Sequence, residues 1–134
     1  LAPKNLPPGP AAVQVIRGTA LSSAVNVTAQ ALSPALFAYA PQSGRYAVAQ
    51  DATNFALIGP PGLLGEGVPL EPAREGQVLT VYATGLGDTD PPYEDGVLSA
   101  AAPLAAPLTL RLGGVAATTT YAGRISPGLY QVNF

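Results

Sequence analysis

The chain is predicted to be all-β, an immunoglobulin-like β-sandwich of about seven short strands. Three observations carry this expectation. Its 134 residues include 15 prolines and 15 glycines, which break an apolar content of 48% into short pieces. Those pieces alternate with period two and are rich in Val, Thr, Leu and Tyr, the pattern of strands with one buried face. Alanine is frequent, yet no segment holds an apolar 3.6-residue period for three turns, so a helical fold is rejected.

Taken in order, residues 1–10 form a Pro-rich lead-in. Leu6-Pro7-Pro8-Gly9-Pro10 has too few backbone donors for a sheet interior and reads as linker or edge. A single domain is expected over 11–134. It opens with a hairpin over 11–30, in which Val13 and Val15 alternate with Gln14 and Ile16, Gly18-Thr19 makes the turn, and Val25, Val27 and Ala29 alternate with Asn26, Thr28 and Gln30. Ser33-Pro34-Ala35-Leu36-Phe37 ends that hairpin, because Pro34 cannot donate and biases Ser33 toward extended geometry, and Phe37 is expected to plug the core there. Gln42-Ser43-Gly44 is a turn into a strand over Arg45–Gln50, and Asp51-Ala52-Thr53-Asn54 turns the chain again. Glycines and prolines crowd the stretch from Gly59 to Arg74, which is read as a surface excursion.

The organising stretch is Gly76 to Gly87, a β-branched and aromatic run opened by one glycine and closed by two. It reads as a buried strand entering a sharply turned loop. A rigid acidic loop, Asp88 to Gly96, comes next, then Ala-Pro-Leu repeats over 100–107, too apolar for free solvation and expected to lie along the domain as an extended arm. Leu108, Leu110 and Leu112, Gly113-Gly114, and Val115, Ala117, Thr119 and Tyr121 give the clearest hairpin in the chain. Ser126-Pro127-Gly128 is one more turn before a last strand over Leu129–Phe134.

Composition excludes several functions. The formal net charge is −2 and the six basic residues are scattered, so no basic stripe exists for nucleic acid. Without Cys or His there is no disulfide framework, no thiolate nucleophile and no imidazole base, and no catalytic residue is assigned. No run is long and apolar enough to span a bilayer, and Leu1-Ala2-Pro3-Lys4-Asn5 is not a signal peptide. With no initiator Met, the chain reads as a piece of something longer.

Two sets of residues are candidates for binding. Asp88, Asp90, Glu94 and Asp95 place several carboxylates within eight residues, which a hard cation such as calcium needs. The spacing is not that of a helix–loop–helix calcium loop, Pro91 and Pro92 stiffen its middle, and a solvated acidic turn is favoured, with no cofactor expected. Tyr39 and Tyr93, in loops near prolines, are candidate platforms for a sugar or a protein, whereas Tyr82, Tyr121 and Tyr130 read as core or rim residues. Glu66, Glu71 and Glu75 flank the Pro-rich excursion without the opposed geometry a glycosidase needs. The glycines at 85, 87, 113 and 114 lack a following Lys-Ser/Thr and helix, so they are turn residues and not a phosphate loop.

Val81-Tyr82-Ala83-Thr84-Gly85-Leu86-Gly87, Leu112-Gly113-Gly114-Val115-Ala116-Ala117, Tyr121-Ala122-Gly123 and Pro127-Gly128-Leu129-Tyr130-Gln131-Val132-Asn133 together resemble one family. It is the uncharacterised Solibacter-type C-terminal module, repeated in large secreted acidobacterial proteins. Ser33-Pro34-Ala35-Leu36-Phe37 matches the way such units begin, so the resemblance runs from about residue 12 to the end. It implies an immunoglobulin-like sandwich, tandem copies and an extracellular or cell-surface setting, and it brings no catalytic residues. In the family the segment resembling Tyr130–Phe134 is followed by a Pro-containing connection and a final hairpin, which residues 3–30 resemble. The chain is therefore expected to be one period of an array cut at a shifted point. Its N-terminal hairpin would supply the closing strands, either on its own chain, as a permuted monomer, or on a neighbour, as a strand-swapped homo-oligomer.

The expected role is a non-enzymatic structural or adhesive repeat whose partners are neighbouring modules of the same parent protein. The alternative is a carbohydrate- or protein-binding module that uses the loop tyrosines.

Overall fold

The structure, a computed structural model, describes Pro3 and residues 6–39, 46–94 and 97–134. The expected turn at Gln42-Ser43-Gly44, the start of the Arg45–Gln50 strand and Asp95 lie outside the described residues. Among those described there are thirteen strands and no helix, so the fold is all-β. The sequence undercounts the strands because several span only two residues and lack enough alternation to read.

The N-terminal hairpin forms as its alternation predicts. Its strands β1 (Gly9–Val13) and β4 (Val25–Ala29) pair antiparallel, and its tip is the short pair β2 (Ile16–Arg17) and β3 (Ala20–Leu21). Pairing begins at Gly9, two residues ahead of the expected start, because Pro10 faces only Thr28 in a ladder with no other neighbour.

The body contains β5 (Ala35–Leu36), β6 (Ala49–Asp51), β7 (Leu57–Ile58), β8 (Leu79–Thr84), β9 (Ala102–Pro103), β10 (Leu110–Leu112), β11 (Val115–Ala117), β12 (Tyr121–Ser126) and β13 (Leu129–Asn133). Seven of these make one sheet in the order β7-β6-β8-β13-β12-β9, with β5 and β6 end to end along one edge of β8. The Gly76–Gly87 stretch thus holds the middle of the sheet. β10 and β11 form a separate two-stranded sheet closed by Gly113-Gly114, both at positive φ as a tight two-residue turn requires.

One face of the large sheet carries the core. Ile58, Ala49, Val81, Val132 and Ala122 stand directly opposite one another across five adjacent strands. Leu79, Leu86, Leu108 and Phe134 pack against this row, so Leu108, just ahead of β10, brings the small sheet's leading end over the core. A second row on the same face runs Ala83, Tyr130, Arg124, Ala102, all buried. The apolar arm at 100–107 lies along the domain as expected, for its Ala102 pairs with Arg124 and is buried.

One expectation needs correction. Phe37 does not plug the core: it is 45% exposed, because its N–H is bonded to the Tyr82 carbonyl and this register turns its ring to the sheet face opposite the core. Of the two arrangements open to the N-terminal hairpin, closure on its own body is not the one seen, for among the described strands β1 to β4 touch only one another.

Candidate functional site

The tyrosine candidates are both held by the protein itself. The Tyr39 hydroxyl donates to the Ala49 carbonyl at 2.9 Å, and burial pushes its pKa up. Tyr93 lies with its ring 4.7 Å from the Arg124 guanidinium carbon. Their anchors sit on β6 and β12, which are three strand spacings or about 14 Å apart across the sheet, so the two rings do not form one platform.

Arg124 reads in the sequence as one of six scattered cations, yet it is 2% exposed. Its Nη2 donates to Ser99 Oγ at 2.6 Å and to the Ala100 carbonyl at 3.4 Å, while its Nε is buried with no acceptor. Beside it the Tyr130 hydroxyl donates to the Gly87 carbonyl. The cation therefore fastens the segment that follows the acidic loop onto β12. The only sequence signal for this was its inward place in the β12 alternation, two residues after Ala122.

The acidic residues divide between a short ladder and solvent. Thr89 is buried and bridges Leu104, with Asp90 N–H donating to the Pro103 carbonyl and Ala105 N–H to the Asp88 carbonyl. Alternation around Thr89 leaves Asp88 and Asp90 exposed, and Glu94, beyond Pro91 and Pro92, is exposed as well. Among the described residues no three acidic side chains come together as a metal site would need, and Asp95 lies outside them.

The remaining candidate surfaces are apolar. On the sheet face opposite the core, Phe37, Val48, Tyr82, Ile125 and Leu129 line an open hollow of about 500 Å³. It borders a polar network in which Tyr82 donates to Gln50 Oε1 at 2.7 Å, and Thr80 Oγ1 and Gln131 Nε2 both donate to Asn133 Oδ1. The N-terminal hairpin is amphipathic: its register places Ala11, Val13, Val25 and Val27 on one face and Pro10, Ala12, Asn26 and Thr28 on the other. Val13, Val25 and Val27 are 50%, 61% and 45% exposed, so the apolar face is uncovered.

Fold and surface together define an all-β protein, with one seven-stranded sheet and three two-stranded ones among the described residues. No helix among the described residues is long and apolar enough to cross a membrane. Compared with known families, curated proteins and solved structures, the chain matches none.

Proposed function

We propose that this chain is a non-enzymatic structural or adhesive module, an immunoglobulin-like repeat that packs against neighbouring modules of its parent protein. One observation carries the reading. The N-terminal hairpin gathers Ala11, Val13, Val25 and Val27 on one face with Asn26 and Thr28 on the other, the signature of a strand pair covered on one side, and here its valine side is bare. An isolated two-stranded hairpin is marginal in water, so such a face calls for a second layer from outside the chain. The resemblance to the Solibacter-type module supplies the repeat and the extracellular or cell-surface setting. The tyrosine-based binding reading has less support, because Tyr39 donates its hydroxyl internally and the Tyr93 ring stacks on Arg124.

The test is a protein of two copies joined head to tail, melted beside the single chain. A packing module gives one cooperative transition well above the single chain's melting temperature. Two copies that melt independently at the single-chain temperature refute the reading.

A further inference from the structure

We infer that the β1–β4 hairpin of one copy adds to the edge of the β10–β11 hairpin of a second copy, completing a four-stranded second layer over the core. The inference rests on the module-packing reading above and names the partner and the contact. Both hairpins are two-stranded sheets with no further strand along their outer edges among the described residues, and such edges present unpaired N–H and C=O groups to any matching strand.

Their side chains match as well. In the small sheet Leu112 opposes Val115 and Leu110 opposes Ala117, so these four share a face, with Arg111 and Ala116 on the other. Leu108, two residues before Leu110, already packs on the core, which orients that face inward. Yet Leu112 is 52% exposed and Val115 72%, so this second layer is only half built. A hairpin laid along its edge with Ala11, Val13, Val25 and Val27 facing the same way would continue the apolar surface and cover both.

The tether explains why the addition occurs between copies. Ser33 N–H donates to the Gly85 carbonyl at 3.0 Å and Phe37 N–H to the Tyr82 carbonyl at 3.0 Å, so the chain is pinned to β8 from Ser33 onward. Only Gln30, Ala31 and Leu32 separate that pin from the end of β4, a reach of about 13 Å from Ala29 to Ser33. A hinge this short favours exchange of the hairpin between protomers over folding back.

Light scattering after size exclusion, over a concentration series of the full chain, tests this. The expected mass is at least twice that of the single chain. The double variant Val25→Asp, Val27→Asp should fall to the single-chain mass and keep its near-ultraviolet tyrosine signal, since no tyrosine lies in the hairpin and the body stays folded. Pro at the outward-facing donor of each edge, Arg111→Pro on β10 and Ala116→Pro on β11, spares the β10–β11 ladder, whose bonds run through the flanking pairs. At least one of these should also give the single-chain mass. A wild-type chain of single-chain mass throughout overturns the inference, as does association that survives both proline variants. Association lost in Leu129→Asp but kept in both proline variants also overturns it, by placing the hairpin on the outer hollow. A tandem protein that melts as one unit regardless of the hairpin variants would sink this contact alone and leave the module reading standing.

Discussion

Ser33 and Gly85 meet backbone to backbone. Ser33 donates its N–H to the Gly85 carbonyl, and the Ser33 carbonyl occupies the space that a Cβ on residue 85 would need. Gly85 also has φ +71°, so it is both the swing point after β8 and the clasp that fixes the base of the N-terminal hairpin. Gly85→Ala is expected to cost about 3 kcal/mol, from left-handed strain and overpacking against backbone that cannot move aside. Gly113→Asn serves as the control. That site has open space around its Cβ position, and Asn tolerates the turn, so chemical denaturation should show a change under about 0.5 kcal/mol.

Asp51 closes the turn after β6. Its pKa is lowered because the Thr53 hydroxyl and N–H donate to Oδ1, with Asn54 N–H on the same oxygen and the Gln77 amide on Oδ2. A depressed folded pKa means the contribution is present above the ordinary 3.8 and is lost as pH falls through the lowered value. Asp51→Asn should therefore melt several degrees lower at neutral pH and show a smaller further loss between pH about 5 and about 2 than the wild type does. Parallel acid limbs in the two proteins would remove Asp51 from the account.

Tyr130 gives the opposite limb. Burial, and then the neighbouring Tyr93, push its hydroxyl above the ordinary 10.0. A raised folded pKa contributes stability below that value, lost as pH climbs through the folded one. Tyr130→Phe forfeits the bond to the Gly87 carbonyl, at about 1 kcal/mol near neutrality. The variant should also lose less than the wild type between neutral and strongly alkaline pH, read by denaturant melts at each pH.

Arg124 acts through the shape of its guanidinium as well as its charge. Lys at this position keeps the charge but cannot both reach Ser99 and stack on Tyr93 as the planar fork does. Arg124→Lys is expected to cost about 2 kcal/mol in urea unfolding and to expose the segment around Ser99 to protease. A variant as stable and as resistant as the wild type would show that the cation does not fasten that segment.

Several elements were legible because local chemistry specified them. Val25, Val27 and Ala29 alternate around an identifiable turn, Gly113-Gly114 can close only a tight hairpin, and Leu79 to Thr84 is β-branched and aromatic enough to be a sheet centre. Two-residue strands such as β5, β7 and β9 carry no period: β5 and β9 take their pairing from β8 and β12, far away in sequence, and β7 returns on the nearby β6 over too few residues to show alternation. The same distance hid the candidate site: nothing near Arg124 in the chain announces Tyr93 or Ser99 as its partners.

By itself, the amino-acid order determined that the chain is all-β and where its main turns fall, since periodicity and turn residues act between near neighbours. Only the tertiary structure decided that Phe37 faces outward, that Arg124 is buried, and that the N-terminal hairpin stands clear of its own body. Those outcomes depend on which strand edges meet, and the register of long-range hydrogen bonds, not local preference, settles that.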